Sequence, residues 1–312
     1  MIKASEETYK KLPAYFDWVA DIFNYPHFHR EFETDTVKSD NVKLHLDVLT
    51  ADKNAPTVIV MPGTAIYALC HAELMYKIYQ QGYNVVGFDP RGHGQSTGER
   101  GDYSAQELMT DAGNVISYAI QRFNAKVNLF GSSQGGIIAL YMAAKDERLD
   151  SVICHTFADL SDDSAIRLTR HPRLFKYLKT VLAPAGKLVP MAHVPVNAYI
   201  DIESIPVRHF GNLMHFIEQD PLALKYITLR ALQSLSGVVP AKPFEKITTP
   251  VLMFQGDNDS IFPVKYTESL FNRLTCKKQI KIFKGRAHSI ITENVDEIMP
   301  TITKWLEEIY KK

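Results

Sequence analysis

The chain of 312 residues carries 35 basic and 35 acidic side chains, and 46% of its residues are hydrophobic. That apolar content is enough for one large α/β core or two smaller domains. The balanced charge excludes both the basic excess that suggests a nucleic-acid partner and the acidic excess of a solvating tail.

The N-terminus and the cysteines bear on the location of the protein. Residues 1–7 lack a charged segment followed by a continuous apolar core, so no secretory signal is expected. No apolar run approaches the roughly 20 residues that a membrane span needs. Cys70, Cys154 and Cys276 are few, odd in number and far apart, which favours free thiols in a reducing compartment. We therefore expect a soluble cytoplasmic protein without an integral membrane span.

Residues 13–23 are predicted to form a short helix, with Pro13 in its first turn. Its apolar residues fall on one side of the helix; they are Tyr15, Trp18, Val19, Ile22 and Phe23. The opposite side carries Asp17 and Asp21 and no basic residue. Packing of this helix on the main body is therefore favoured over binding to a membrane surface.

An antiparallel hairpin is predicted next, from residues 31–37 and 42–48. The second segment alternates apolar and polar residues strictly, as a half-buried strand does. Asp40 and Asn41 between the two segments are turn residues, because asparagine tolerates a positive φ. We expect this hairpin at the edge of a sheet.

From residue 57 onward, strand segments alternate with helices, and the first of these segments, residues 57–61, is continuously apolar. The strands are predicted at residues 57–61, 83–88, 126–130 and 151–155, and the helices at 71–81, 104–123 and 137–144. The second of these helices begins with a capping box formed by Ser104 and Glu107. Alternation at this short spacing predicts an α/β fold with a mostly parallel central sheet flanked by helices.

The alternation stops between residues 157 and 244, where the chain contains eight prolines and no evident buried strand. This segment is predicted to be a helical cap inserted into the core and not a second domain. The core is then residues 1–156 together with residues 245–312. Its later elements are predicted to be strands at 250–255 and 279–283, a helix at 264–274 and a closing helix at 294–310.

Ser133 lies at the centre of Gly131-Ser-Ser-Gln-Gly135, a G-x-S-x-G pattern between a predicted strand and a predicted helix. In that context the pattern indicates a nucleophile elbow, in which the serine sits on a strained turn. The N-terminus of the helix behind the serine would stabilise an oxyanion, because its backbone N–H groups and the helix dipole give a positive potential there. A bulky residue at either glycine would collide with the adjacent strand or helix. The neighbouring Ser132 lies outside the central position and is assigned to packing.

Asp259 and His288 each follow a predicted strand of the resumed sheet. With Ser133 they belong to the carboxyl edge of the sheet, where α/β proteins bind ligands. His288 would take the proton of Ser133 as general base, and Asp259 would orient the imidazole. Asp257 competes with Asp259 for that role, and Asp259 is favoured because the turn at this place commonly reads G-x-x-D.

The predicted oxyanion donors are the backbone N–H groups of Gln134, directly after the nucleophile, and of Thr64, after the strand at 57–61. Asp89 and His93 are assigned to shaping a glycine-rich loop. The histidines at 27, 29, 171, 193, 209 and 215 lack metal-ligand spacing with a carboxylate, so no metal site is expected. No G-x-G-x-x-G follows a strand, and no nucleotide cofactor is expected.

Taken together, these motifs make the chain similar to the α/β-hydrolase superfamily, especially the branch of monoacylglycerol lipases, lysophospholipases and the serine aminopeptidase domain. The similarity covers about residues 42–311. It rests on Pro62-Gly63-Thr64, Asp89-Pro-Arg-Gly-His-Gly-Gln-Ser96, Gly131-Ser-Ser-Gln-Gly135, Gly256-Asp-Asn-Asp259, Gly285-Arg-Ala-His288 and Gln219-Asp-Pro-Leu222.

Two positions depart from the pattern of these relatives. The family usually has His-Gly where this chain has Pro62-Gly63, and proline removes one backbone donor and restricts φ. Gln134 stands where an apolar residue often follows the nucleophile, and its side-chain amide offers an additional polar contact to a substrate.

The resemblance implies a serine hydrolase that cleaves a small or medium acyl ester, with a small-molecule ester as its partner and an apolar cap over the site. The alternative is an aminopeptidase or amidase, which needs a carboxylate in the cap to hold the substrate amine. The candidates for that carboxylate are Asp162, Asp163, Asp201, Glu203, Glu218 and Asp220. A third reading is a scaffold that binds ligands without catalysis, which the complete Ser-Asp-His set disfavours. A dehalogenase or an epoxide hydrolase activity is disfavoured, because those relatives use aspartate where this chain has Ser133.

Overall fold

A computed structural model describes residues 6–176 and 188–310 of the chain. The strands are β1 (Glu33–Ser39), β2 (Val42–Leu49), β3 (Thr57–Met61), β4 (Asn84–Phe88), β5 (Val127–Ser132), β6 (Ser151–His155), β7 (His193–Pro195), β8 (Pro206–Val207), β9 (Gly211–Asn212), β10 (Tyr226–Thr228), β11 (Val251–Gly256) and β12 (Lys278–Phe283). The helices are α1 (Glu6–Phe23), α2 (Ala72–Gln80), α3 (Ala105–Arg122), α4 (Gln134–Ala143), α5 (Val196–Tyr199), α6 (Leu213–Gln219), α7 (Leu229–Leu235), α8 (Val264–Arg273), α9 (Ile290–Glu293) and α10 (Val295–Tyr310).

The main sheet has eight strands in the order β1-β2-β4-β3-β5-β6-β11-β12. β2 pairs antiparallel with β1 and with β4, and all the other pairs of neighbours are parallel. The predicted mostly parallel sheet is thus confirmed. Its apolar runs are continuous because both faces are covered: Leu129 of β5 packs with α3 and α4 on one face, and Phe130 packs with α2 and α10 on the other.

The hairpin of β1 and β2 is closed between Ser39 and Val42, as expected from the turn residues. The residue with positive φ in this turn is Asp40, at 51°, and not Asn41. Aspartate tolerates this conformation for the same reason as asparagine, since its short polar side chain hydrogen-bonds locally.

The N-terminal helix α1 begins at Glu6, seven residues before the predicted start, and Pro13 lies inside it. Leu12 and Ala20 are buried, and the Tyr15 hydroxyl donates to the Asp220 carboxylate at 2.6 Å. Trp18 and Phe23 contact the ring of Phe210. These contacts confirm that the helix packs on the body of the protein. Among the described helices, none combines the length and the apolar content that crossing a membrane requires.

Residues 157–244 are less purely helical than predicted. β7 and β10 form a small antiparallel pair, and β8 and β9 form another, both outside the main sheet. Ile227 and Thr228 of β10 are buried. Pattern analysis misses such strands because two or three residues are too short to show a period of two.

Candidate active site

Ser133, Asp259 and His288 all lie at the carboxyl edge of the parallel strands, and Asp259 and His288 contact each other there. Ser133 follows β5, Asp259 lies in the loop after β11, and His288 lies in the loop after β12. β6 is hydrogen-bonded to both β5 and β11, so the three loops share one end of the sheet. The carboxyl ends of parallel strands share one edge of the sheet, and residues distant in sequence can therefore lie at the same edge.

The turn at Ser133 is strained. Its φ of 53° and ψ of −116° are rare for a residue with a side chain, and such conformations cost on the order of 1–3 kcal/mol. The Ser133 N–H donates to the carbonyl of His155 on β6 at 2.8 Å, and α4 begins at the next residue. The elbow predicted from the motif is therefore present, with the serine at the N-terminus of a buried helix.

The two flanking glycines are required by space. A Cβ on Gly131 would lie 2.0 Å from the carbonyl oxygen of Gly135, and one on Gly135 would lie 2.5 Å from the carbonyl oxygens of both Met61 and Pro62. These contacts are with backbone atoms, which cannot move aside without shifting a strand or a helix. The packing reason inferred for the G-x-S-x-G spacing is confirmed.

His288 and Asp259 form a buried pair. The Nδ1 atom of His288 lies 2.7 Å from Oδ2 of Asp259, and Oδ1 of Asp259 accepts the backbone N–H groups of Ile261 and Phe262, each at 2.9 Å. Burial favours the neutral acid, but His288 and the Phe262 N–H outweigh it, so the pKa of Asp259 lies below its ordinary value. An ionised Asp259 can fix the orientation of the imidazole.

Asp257 has a different hydrogen-bond partner from Asp259. It is exposed, and its Oδ1 accepts the backbone N–H of Gly285 at 2.6 Å. It thus braces the loop that carries His288 without contacting the ring. Of the two competing aspartates, Asp259 and not Asp257 therefore contacts the imidazole of His288.

The loop after β3 lies against the nucleophile. A Cβ on Gly63 would be 3.1 Å from Cβ of Ser133 and 3.8 Å from its Oγ. The Thr64 hydroxyl donates to Oε1 of Gln134 at 2.6 Å. The side chains of the two predicted oxyanion residues, Thr64 and Gln134, are therefore in contact beside the nucleophile. Their role as donors remains a prediction.

Asp89 and His93 hold the glycine-rich loop. The carboxylate of Asp89 accepts the backbone N–H groups of Ala68 at 2.8 Å and Gln95 at 2.7 Å. Nδ1 of His93 lies 3.0 Å from the carbonyl oxygen of Arg91. Asp89 thereby ties this loop to the segment that follows Thr64, as expected of a shaping role.

A cavity of about 390 Å³ opens at Ser133, and Thr64 and Gln134 share its lining. Most of its remaining wall is apolar and includes Ile137, Leu160, Phe175, Leu232, Leu235 and Ile261. Asp162 and Asp163 also line it and are exposed. The segment between residues 157 and 244 thus supplies much of the surface that a substrate would meet.

The other candidate carboxylates are engaged elsewhere or lie outside the cavity lining. Asp220 is buried and accepts the hydroxyls of Tyr15 and Tyr67. Asp201 and Glu203 lie beside Arg170, with Glu203 in a 2.7 Å ion pair. Glu218 is exposed. Among the described residues, only Asp162 and Asp163 of this set line the cavity.

His155, which ends β6, is a further candidate that the sequence motifs do not single out. Its ring centroid is 4.9 Å from that of His288, and its Nδ1 lies 3.3 Å from Oγ of Ser132. Burial lowers the pKa of His155 well below its ordinary value, which keeps the ring neutral. A histidine at the carboxyl end of a buried strand was the available signal.

His155, Asp259 and His288 each place one potential ligand atom within 4.8 Å of the other two. Such a grouping could hold a metal ion. Two of its members already bond to each other as the His–Asp pair, so their contact is explained without an ion.

An eight-stranded sheet of this order, with a serine turn after β5 and a His–Asp pair on the loops after β11 and β12, defines the α/β-hydrolase class. Within that class, the chain belongs to the family described as "Serine aminopeptidase, S33", which matches residues 52–295. The resemblance inferred from the motifs is confirmed, and helix α1 and strands β1 and β2 lie outside the matched region.

The similar proteins are distant in sequence, but their alignments cover most of the chain. A monoacylglycerol lipase of Mycolicibacterium smegmatis is 24% identical over an alignment of 275 residues that covers 85% of this chain and 93% of that protein. A monoglyceride lipase homolog of Monkeypox virus is 24% identical over 80% of this chain and 87% of its own length. The crystal structure of a soluble variant of monoglyceride lipase from Saccharomyces cerevisiae superimposes with a TM-score of 0.73 at 18% identity, over 89% of this chain and 96% of that one. These relatives place the chain in the monoacylglycerol lipase-like branch of the hydrolases.

Proposed function

We propose that the protein hydrolyses carboxylic esters through Ser133, His288 and Asp259. The observation that carries the proposal is the buried 2.7 Å pair of His288 and Asp259 at the same edge of the sheet as a serine on a strained turn. The relatives described as lipases support an ester substrate.

The reaction follows from the roles of these groups. His288 removes the proton as Oγ of Ser133 attacks the ester carbonyl, and the resulting oxyanion is held by the backbone N–H groups of Thr64 and Gln134. The alcohol leaves with the proton from His288, and an acyl group remains on Ser133. Water, deprotonated by His288, then attacks the acyl carbon and releases the acid. Ionised Asp259 stabilises the imidazolium that forms twice in this cycle.

The shape of the cavity supports a small or medium acyl chain. Its volume of about 390 Å³ and its apolar wall suit an alkyl chain that extends from Ser133. We propose that the partner of the protein is such a small-molecule ester.

Turnover of p-nitrophenyl esters of increasing chain length tests the proposal. The Ser133→Ala variant is expected to lose on the order of 10⁴–10⁶ in kcat, since the nucleophile acts together with its base. Ser132→Ala is the matched control because Ser132 is the adjacent serine, and it is expected to keep turnover within a few-fold. If Ser133→Ala remains active, or if the wild type neither turns over esters nor reacts with a fluorophosphonate, the proposal fails and a non-catalytic binding role takes its place.

A second candidate is cleavage of an amide or an aminoacyl bond. It is favoured by the two carboxylates in the cavity lining, Asp162 and Asp163, which could hold a substrate ammonium group. Aminoacyl nitroanilides assayed beside the esters separate the two functions. Under the amide reading, Asp162→Asn or Asp163→Asn raises KM for the nitroanilides, whereas Asp201→Asn, outside the cavity lining, does not.

The cysteines support a reducing location. Cys70, Cys154 and Cys276 are free thiols, and burial raises the pKa of Cys154 above its ordinary value. We propose that the protein works in the cytoplasm. Cell fractionation tests this, and recovery of the protein in an oxidising compartment would contradict it.

A further inference from the structure

The loop that carries Thr64 contains a strained residue. Ala65, directly after Thr64, has a φ of 72°, which is rare for a residue with a side chain. Such a conformation persists only where the surrounding structure holds it in place. The contacts that hold Ala65 therefore bear on the placement of Thr64, whose backbone N–H is a predicted oxyanion donor.

Two hydrogen bonds hold this loop from the segment that follows α6. The backbone N–H of Leu224 donates to the carbonyl of Ala65 at 2.8 Å. The hydroxyl of Tyr67 donates to the carboxylate of Asp220 at 2.8 Å, and both of these side chains are buried. The strained residue and the end of the loop are thus fastened to the same short stretch of chain, residues 220–224.

Asp220 is a buried carboxylate that is held by neutral donors. Its Oδ1 accepts the backbone N–H groups of Leu222 at 2.7 Å and Ala223 at 2.9 Å. Its Oδ2 accepts the hydroxyl of Tyr67 and that of Tyr15 on α1, the latter at 2.6 Å. Burial raises the pKa of Asp220 above its ordinary value, and these four donors act against the rise. The Tyr15 hydroxyl thus supports the charged form of this carboxylate.

Helix α1 is anchored beside the same loop. The rings of Phe16 and Tyr67 are in contact, with centroids 6.2 Å apart, and Leu12 shares a small buried cluster with Tyr67. The helix therefore delivers the Tyr15 hydroxyl to Asp220 from a fixed position. Because α1 lies outside the region matched to the family, this contact is supplied by a part of the chain that the family does not describe.

We propose that Tyr15 and Asp220 are positioning residues for the loop that presents the Thr64 N–H to the oxyanion. Helix α1 is then part of the scaffold of the active site. The inference rests on the proposed function, because it takes the Thr64 N–H to hold the oxyanion of an ester reaction. A displaced donor weakens the transition state more than the bound substrate, since the oxyanion develops only as the reaction proceeds.

The test compares Tyr15→Phe with Tyr118→Phe on one p-nitrophenyl ester. Each substitution removes a hydroxyl that donates to an aspartate at 2.6 Å. The partner of Tyr118 is Asp35 on β1, which β2, β4 and β3 separate from β5. Tyr15→Phe is expected to lower kcat about tenfold, a fraction of the loss caused by deleting an oxyanion donor, and to leave KM within about twofold. Tyr118→Phe is expected to change neither.

Inhibition by a trifluoromethyl ketone with the same alkyl chain provides a readout that a loss of stability would not change. Such a ketone adds to the nucleophilic serine and places an oxyanion where the tetrahedral intermediate has one. Its inhibition constant is expected to rise in Tyr15→Phe by the factor by which kcat/KM falls, and to stay unchanged in Tyr118→Phe. A lower kcat with an unchanged inhibition constant would overturn the inference, because it would reflect a smaller folded fraction with an intact oxyanion site.

The inference and the proposed function fail differently. If the ester is hydrolysed in a Ser133-dependent way but Tyr15→Phe keeps the wild-type kcat and inhibition constant, the inference is wrong and the esterase proposal stands. Equal losses in Tyr15→Phe and Tyr118→Phe also contradict the inference, since the effect is then one of general stability. Absence of any Ser133-dependent ester turnover removes both.

Discussion

At Gly135, a single hydrogen atom in place of a side chain allows α4 to approach the end of β3. A Cβ there would lie 2.5 Å from the carbonyl oxygens of Met61 and Pro62. We expect Gly135→Ala to reduce ester turnover by more than a hundredfold, since it displaces the turn at Ser133, and to destabilise the fold by about 1–3 kcal/mol through overpacking. Kinetics and urea denaturation measure the two effects.

Gly113→Ala is the matched control for that substitution. Gly113 lies within α3, and the nearest atom to an added Cβ is Cε of Met142 at 3.9 Å. Alanine in a helix interior is better than glycine by roughly 0.5–1 kcal/mol, so this variant should be at least as stable as the wild type. Equal behaviour of the two alanine variants would contradict the steric account of the elbow.

The two aspartates of the loop after β11 make a second comparison between residues. We expect Asp259→Asn to lower kcat by on the order of 10³–10⁴, because an amide in place of the carboxylate favours the wrong imidazole tautomer. Asp257→Asn keeps an oxygen that can accept the Gly285 N–H, so only a few-fold loss is expected. Steady-state kinetics on one ester decide between them, and an inactive Asp257→Asn would reassign the catalytic acid.

Three elements are joined by Arg91. Its Nη2 lies 2.7 Å from Oδ1 of Asp111 on α3 and 2.9 Å from Oδ2 of Asp40 in the β1–β2 turn. Asp111 also accepts the Ser39 hydroxyl at 2.6 Å and is fully buried. The loop after β4, the hairpin and α3 therefore share one buried ionic network.

Arg91 also pairs with Glu107, and the network predicts unequal costs for two of its three carboxylates, Asp111 and Asp40. Asp111→Ala leaves Arg91 buried without its main partner, so a loss of about 3–5 kcal/mol in the free energy of unfolding is expected. Asp40 is half exposed, and Asp40→Ala should cost less than about 1 kcal/mol. Urea denaturation of both variants provides the measurement; similar losses would show that the buried pair does not dominate.

For the whole molecule, stability should depend on pH through His45. Burial disfavours the charged ring, but the hydrogen bond to Asp47 and its charge outweigh burial, and the pKa of His45 is raised from 6.5 to about 9. The folded protein therefore holds the His45 proton more tightly than the unfolded chain does. The stabilisation is fully present below about pH 6.5 and is lost as the pH rises through about 9.

We expect the free energy of unfolding to fall by on the order of 3 kcal/mol between pH 6.5 and pH 9.5 through this residue. Urea denaturation at a series of pH values measures it, and the His45→Gln variant removes this part of the slope. An identical pH dependence in the variant would show that His45 does not carry the effect.

The sequence by itself determined the central architecture and the local geometry of the nucleophile. Buried parallel strands need apolar side chains on both faces, so each of the strands β3, β5, β6 and β11 could be predicted from its own residues. The capping box predicted for α3 was also observed. The requirement for Gly131 reflects a contact with the carbonyl of Gly135, which a linear pattern can record, whereas the requirement for Gly135 comes from the distant Met61 and Pro62. The sequence also predicted that Asp259 and His288 belong to the carboxyl edge, and it was the parallel pairing of β11 with β12 in the folded protein that brought them into contact.

Only the tertiary structure decided what surrounds that centre. β7 pairs with β10, which lies about thirty residues further along the chain. Strands this short form only when a partner strand supplies their hydrogen bonds. His155 became a candidate for function through its burial beside the ring of His288, which is a property of the assembled fold. The physical reason is that a polar side chain has the same identity in the sequence whether it is solvated or buried, and its chemistry depends on which of the two it is.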